Sequence, residues 1–532
     1  MREHIGSTLA PATRHAHSKF QRVARLHRLR LPGAADARLA VGDRLRPRPG
    51  VAVRAVMGCP ATDKRLTHSA KPTGPNPQRN SPYCSTTMHI HALKESLTRA
   101  SSTLVLLVSL AGCGGGGGSS GPGAPTPPPS NPPVVRTFTS FQAASFAVGQ
   151  PTLETGDPNR GIVPTDRGLS SPGALAPTPE GGLLVSEIGN NRILLFATLP
   201  DAADPVATAV LGQRDFFESA ASVSREGLNA PFGMAVEVGK MAVADSGSDR
   251  VLIYERTPSQ GAAGPLPDVV IGPADFDTVA PDCAPTGMRR PMGVAITPEG
   301  KLIVADSGNN RVLIWDAIPA KNEPIPSPKL VLGQKDLVHC ASNDNDGDGS
   351  TDLVPGTAIP QSTASTLSFP RDVWTDGQRL VIADQDNHRV LIWNRFPTRS
   401  FQEADIVLGH SDFLNTVANS EHDPTSPSTA PTARTLSTPT GIHSDGISLV
   451  VADARNNRVL VWNTFPDHSF ARADVVLGHV DFDLSVTNDR DGDGVTDAPT
   501  ANVFSFPHRV LLMPDVLLVT DLQHHRVLVF RR

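Results

Sequence analysis

From about residue 136 onward, short apolar runs alternate with clusters of Gly, Asn, Asp, Ser and Pro, and one such run recurs nearly unchanged. In its clearest form, at 304–315, it reads VADSGNNRVLIW. The other copies are VSEIGNNRILLF (185–196), VADSGSDRVLIY (243–254), IADQDNHRVLIW (382–393), VADARNNRVLVW (451–462) and VTDLQHHRVLVF (519–530). Each reads as two strands joined by a tight polar turn.

The surroundings of each copy repeat as well. A Pro-led apolar segment such as 291–296 comes first, then a turn at 298–300, the strand from Leu302, the turn at 307–310 and the strand from Arg311 to Trp315. A Pro-containing loop and a last strand near 330–333 complete the unit. Four short strands per unit predict a four-stranded antiparallel blade, and six units predict an all-β, six-bladed propeller. The sixth unit stops after its third strand. Residues 144–153 (ASFAVGQPTL) match the outer-strand pattern of 473–482 (ADVVLGHVDF), so they are predicted to pair beside 527–530 and cover the open edge.

These units resemble NHL repeats, named for an Asn-His-Leu triplet whose nearest form here is Asn387-His388-Arg389. The resemblance spans about residues 136–532 and implies a six-bladed propeller. It implies no single activity, because the family includes peptide-processing lyases, RNA-binding and protein-binding domains and sensor domains of receptor kinases.

Composition adds exclusions. Only 5% of residues are aromatic, while 45 Gly and 49 Pro suit many short strands joined by turns. A net charge of −5 with pI near 6.4 gives no basic footprint for nucleic acid. No nucleophile elbow, HExxH or phosphate-cradling glycine loop occurs, so no catalytic residue is nominated.

The N-terminal quarter reads differently. Residues 1–87 are rich in Arg and His and show no structural period, which fits either a disordered arm or an upstream extension absent from the natural product. At Met88 an export signal begins, with Lys94 and Arg99 ahead of the apolar run 104–110, too short to span a bilayer. The signal occupies 88–112 and ends at Leu110-Ala111-Gly112-Cys113, which resembles the lipobox of bacterial lipoproteins and implies cleavage before Cys113 and acylation of its thiol. Residues 113–135 then form a Gly-rich and Pro-rich tether, with an end-to-end distance of roughly 25 Å. The expected product is a monomer anchored by lipid in a bacterial cell envelope.

Candidate chemistry lies in what repeats and in what does not. Five residues before each aligned Arg (Arg192, Arg250, Arg311, Arg389, Arg458, Arg526) stands an acid: Glu187, Asp245, Asp306, Asp384, Asp453 or Asp521. A group needed for one chemical act is not copied six times, so these pairs are expected to fasten the turn between strands two and three. Long inserts at 336–368, 412–437 and 481–505 all fall between the outer strand of one blade and the inner strand of the next, which places them on one rim.

Two inserts carry acidic loops, DNDGDGSTD (344–352) and DRDGDGVTD (489–497). Carboxylates at positions 1, 3, 5 and 9 with Gly at 6 suit hard oxygen coordination of Ca²⁺, so Asp344, Asp346, Asp348, Asp352, Asp489, Asp491, Asp493 and Asp497 are the expected ligands. The loops resemble those of EF-hands, dockerins and thrombospondin type 3 repeats, but Pro355 and Thr500 replace the bidentate Glu, so weaker sites or merely solvated loops are the alternatives. Cys283 and Cys340 lie in loops flanking the third blade and either bridge or remain two separated thiols.

Among non-repeating residues, His443 and His508 are offset differently from their leading prolines and are expected to face opposite ways, while Arg371, Trp374 and Arg509 are expected to pack between blades. The favoured function is a binding or scaffold module for a protein, peptide or glycan, acting through the insert-bearing rim. The alternative is a lyase or hydrolase at the channel mouth, which would require two or more non-repeating His, Asp, Glu or Arg side chains to converge there.

Overall fold

A computed structural model describes residues 137–258, 264–421 and 430–532. The extension, the export signal, Cys113 and the tether lie outside the described residues. Those described form six four-stranded antiparallel sheets. Numbering blades one to six along the chain, their inner strands are Pro172–Pro177, Pro231–Glu237, Pro291–Ile296, Pro370–Thr375, Pro439–Ser444 and Pro507–Met513.

Blade three illustrates the unit. Leu302–Asp306 pairs with the inner strand on one side and with Arg311–Trp315 on the other, and Leu330–Leu332 forms the outer edge. The strand-two turn is a single 3₁₀ turn, Ser307–Asn309, ended by Asn310 in the left-handed region at φ 51°. All the equivalent turns end likewise, on Asn191, Asp249, His388, Asn457 and His525. Asn, Asp and His are the non-glycine residues that adopt this conformation most readily.

Strands such as Leu302–Asp306 and Arg311–Trp315 are apolar at successive positions because both faces are covered. Val304 and Leu313 pack toward blade two, while Ile303 and Ile314 pack toward blade four. The same partition gives six hydrophobic cores, one between each pair of neighbouring blades.

The ring closes where the repeat pattern predicts. Phe146–Val148 forms the outer strand of blade six, with Phe146 opposite Val529 and Val148 opposite Val527. Edge protection extends beyond this clasp. The outer strands of blades three, four and five are each clipped by a Ser-Phe pair from the following unit. Val331 donates its N–H to the Ser400 hydroxyl and accepts from Phe401, Val407 does so with Ser469 and Phe470, and Val476 with Ser140 and Phe141.

Candidate functional site

The acid five residues before each Arg does more than fasten a turn. In blade three, Arg311 Nε donates to Asp306 Oδ2 at 2.8 Å, and Asp306 Oδ1 accepts from the backbone N–H of Arg289 at 2.7 Å. The remaining guanidinium nitrogens reach outward, Nη1 to the carbonyl of Leu337 and Nη2 to those of Ala284 and Gly287. Arg389 repeats this on Phe413, Thr363 and Thr366, and Arg458 on Phe482, Thr432 and Thr435. All six pairs have no solvent exposure. A planar fork with five donors suits this role, because it satisfies backbone carbonyls in irregular loops that have no ladder partner. The hubs therefore seat the first and last turns of the inserts as well as the blade turns.

Burial acts against each carboxylate and the Arg acts for it. In blade two burial outweighs Arg250 and pushes Asp245 up to about 6. In blade six, against the opposing effect of burial, Arg526 and His524 together hold Asp521 below its ordinary value.

A second repeated contact was not anticipated from the sequence. The side chain of each left-handed turn residue accepts the N–H just ahead of the next blade's leading proline: Asn191 from Ala230, Asp249 from Arg290, Asn310 from Phe369, His388 from Thr438, Asn457 from Phe506 and His525 from Ser171. The signal in the sequence is a column of Asn, Asp and His, all short acceptors tolerant of positive φ. In His388 and His525 the acceptor is Nδ1, which requires the neutral ring, and burial pushes His388 down to about 4.

On the insert rim the structure brings together Asp344, Asp346 and Asp348, and separately Asp489, Asp491 and Asp493, each trio with one carboxylate oxygen per residue within 4.8 Å of the others. Asp352 and Asp497 instead accept the backbone N–H groups of Asn345 and Arg490. Asp344 takes N–H groups from Gly347 and Gly349, both at positive φ, which bends the loop around its first carboxylate. Lys335 donates to the Asp346 carbonyl at 2.7 Å. Cys283 and Cys340 are bridged, with Cα atoms 6.3 Å apart, and this ties the loop before blade three to the insert after it. Both ends also belong to the blade-three hub, since Arg311 donates to the Cys283 carbonyl and Asn310 to that of Cys340.

The channel axis departs from the pattern of the ring. The third residue of the inner strands is Ala174, Gly233, Gly293, Asp372, Gly441 and Arg509 in turn. Glycine suits this position because backbones crowd together there. A Cβ on Gly293 would lie 2.8 Å from Asp372 Cα, and one on Gly441 2.8 Å from Arg509 Cα. The two charged exceptions form a pair across blade five, Arg509 Nη1 to Asp372 Oδ1 at 2.9 Å. Arg509 also donates to the carbonyls of Met292, Arg371 and Thr440, so one guanidinium joins blades three to six at the axis.

One residue earlier on the same strands, Arg371 places Nη2 2.9 Å from His508 Nε2 and donates Nη1 to Gln385 at 2.9 Å. Its guanidinium sits 5.0 Å from the Phe232 ring centroid, and that ring meets His508 edge-on at 5.7 Å. Because the leading prolines pair with the strand-two acids, as Pro370 does with Asp384, this cluster faces the insert-bearing side. Burial, then Arg509 and Arg290, push Arg371 down to about 9, and burial with Arg371 and Arg509 holds His508 well below its ordinary value.

His443 lies elsewhere. It lines a cavity of about 220 Å³ on the opposite side of the Asp372–Arg509 pair, with Leu175, Met234, Val294 and Trp374. Its Nδ1 accepts from Leu512, and burial pushes it down to about 4. His410 and His479 contact the carbonyls of Asn387 and Asn456, one residue earlier in the turn than the Asn310 carbonyl to which Gln334 donates in blade three. They occupy a structural position in the repeat.

Comparison with known proteins agrees with the repeat reading. Residues 288–315, the core of blade three, match the NHL repeat family model. The mouse NHL-repeat-containing protein 4 is 27% identical over 158 residues, covering 29% of this chain and 89% of that protein. Among solved structures, an aldose sugar dehydrogenase from Streptomyces coelicolor in its PQQ-bound form aligns at 16% identity, covering 70% of this chain and 96% of its own, with a TM-score of 0.36. Virginiamycin B lyase from Staphylococcus aureus aligns at 10% identity over 70% and 98%, with a TM-score of 0.33. No activity passes from either structure to this chain at such scores.

Proposed function

We propose that this protein is an exported, lipid-anchored propeller that serves as a binding or scaffold module, presenting its insert-bearing rim to a protein, peptide or glycan. The observation that carries this reading is the way the repeated hubs serve the unrepeated loops. Arg311, Arg389 and Arg458 bind backbone carbonyls at the edges of the inserts, so the ring holds the ends of the variable segments in fixed positions. Such a frame lowers the ordering cost of binding at loops.

Calcium belongs to the same proposal. Asp344, Asp346 and Asp348 would hold one ion and Asp489, Asp491 and Asp493 a second, with Asp352 and Asp497 joining after release of their backbone contacts. The donor set fits a hard cation, being carboxylate oxygens already gathered within 4.8 Å. The ion would supply charge neutralisation and a fixed loop shape. Anchoring through Cys113 in a bacterial cell envelope rests on the lipobox resemblance and the tether.

The test is a pull-down from envelope extract with the wild-type protein and a variant lacking the 344–352 loop, each with Ca²⁺ and with chelator. Capture that needs both the loop and Ca²⁺ supports the proposal. Equal capture by both proteins, together with equal thermal midpoints in Ca²⁺ and chelator, would sink it. The second reading, a lyase or hydrolase at the channel mouth, draws support from Arg371, Asp372, His508 and Arg509, four non-repeating charged or titratable groups that meet at the axis.

A further inference from the structure

The axial cluster has more donors than acceptors. Arg371 can only donate, so its 2.9 Å contact with His508 Nε2 makes that nitrogen the acceptor and leaves the ring proton on Nδ1. His508 Nδ1 has no hydrogen-bond partner among the described residues, and neither has Arg371 Nε. Both orphans are thus N–H donors. Buried groups of this kind are nearly always satisfied in folded proteins, and leaving one unpaired costs about 1–3 kcal/mol.

Charge points the same way. Among the described residues Arg371 has no carboxylate in direct contact, and Asp372, the nearest acid along the chain, is already bonded to Arg509 and to the N–H of Ile442. Asp386 makes no direct hydrogen bond to Arg371 among the described residues; it accepts Gln385 Nε2 at 2.7 Å, and its charge with that of Asp372 offsets only part of the effect of burial, Arg509 and Arg290 on Arg371. Arg290, exposed beside the same mouth, adds a further positive charge. Arg371 as a whole is half-buried, while its Nε is enclosed, so an anion would meet the guanidinium at the inner end of the mouth.

We propose that the insert-side mouth of the central channel is an anion site for a compact oxyanion, a carboxylate or phosphate group on a small ligand, with Arg371 as the binding residue and His508 as its positioning partner. The planar fork matches two oxygens of either group. His508 accepts from one edge of the guanidinium and Gln385 from the other, while Phe232 covers its face, so the side chain is fixed before any ligand arrives. The site goes beyond the rim proposal and does not need calcium.

The test is isothermal titration of the whole chain, in chelator, with acetate, citrate and inorganic phosphate as separate probes and chloride as the control anion. At least one oxyanion is expected to bind saturably with one site per chain, and the better probe assigns carboxylate or phosphate. Arg371→Met is expected to weaken that binding at least tenfold, and Arg290→Met no more than threefold. A measurement on the wild type covers the case in which Arg371→Met fails to fold. With ¹⁵N-labelled arginine, one Nε–H resonance outside the hub set should move with the titration while those of the six hubs stay fixed. The proposal is overturned if no oxyanion binds saturably below about 50 mM, if Arg371→Met binds like the wild type, or if no arginine resonance moves. Because every arm is run in chelator, failure here leaves the calcium and rim reading intact, and failure of that reading leaves this one intact.

Discussion

Two sets of arginines, the six buried hub residues and the axial pair of buried Arg509 and half-buried Arg371, occupy this ring, and they differ in what balances them. Each of the six hub arginines has a carboxylate five residues earlier, a shared backbone frame and loop carbonyls for its remaining donors. At the axis, Arg509 has Asp372, but Arg371 has a neutral imidazole, an amide oxygen and a ring face. A hub is complete without a ligand, whereas the Arg371 cluster retains unmatched donors. Repetition accompanies completeness, and the unrepeated cluster is the one with capacity left for a partner.

The sharpest way to break this comparison is to remove one arginine of each kind. Arg311→Met leaves Asp306 buried without its charge partner and strips the loop carbonyls of Ala284, Gly287 and Leu337, so stability is expected to fall by about 3–5 kcal/mol in chemical denaturation. Arg371→Met orphans no carboxylate but leaves His508 Nε2 and Gln385 Oε1 without their donor, so a smaller loss of about 1–3 kcal/mol is expected. Equal losses would erase the distinction.

Crowding at the axis comes next. Gly441→Ala pushes a methyl group against the His508 carbonyl and Arg509 Cα, backbone atoms that cannot turn aside, and should cost about 1–3 kcal/mol. The same change at Gly300, which has open space around its Cβ position, adds only the strain of φ 86° and serves as the control.

Acid weakens the inter-blade bond at His388. His388 has a folded pKa near 4, below its unfolded value near 6.5, so the unfolded chain takes up the proton first. Its contribution is complete above about pH 6.5 and is lost as pH falls toward 4. The raised value of Asp245 works in the opposite sense, easing acidification within the fold. His388→Asn supplies an acceptor that does not titrate, as Asn310 and Asn457 already do in their blades. The variant should match the wild type at pH 8 to within about 1 kcal/mol and lose less stability between pH 6.5 and 4, by thermal midpoint across a pH series.

Much of this was legible in the sequence because periodicity exposes it. Six aligned arginines give six blades, the fixed spacing to Asp306 and its equivalents gives the hub pairs, and the match of 144–153 to 473–482 gives the clasp. The acidic loops are legible as gathered carboxylates, although Asp352 and Asp497 turn to backbone N–H groups. The axial cluster was not legible as a unit. Arg371 and His508 stand 137 positions apart, and nothing local announces that two inner strands face each other across a channel. The trace that could have revealed it is the column Ala174, Gly233, Gly293, Asp372, Gly441, Arg509, where two small-residue positions hold opposite charges. A column read for its exceptions pairs Asp372 with Arg509 before any coordinates are known. The turn column ending in Asn310 and His388 could have been read the same way, as a row of acceptors waiting for a donor in the next blade.

The clasp sets a schedule for the growing chain. Phe146 is made early, yet its partner Val529 emerges 383 positions later, from the pairing that completes blade six. At about 5–20 residues per second, that interval lasts on the order of 20–80 seconds. Throughout it, Phe146–Val148 has no strand to lie against and the sheet of blade six does not exist. The blades between can form in order as each is completed, but a synthesis halted just short of Val527 would leave an open arc with a sticky end at each side, and the addition of Val527, Leu528 and Val529 converts it into a ring.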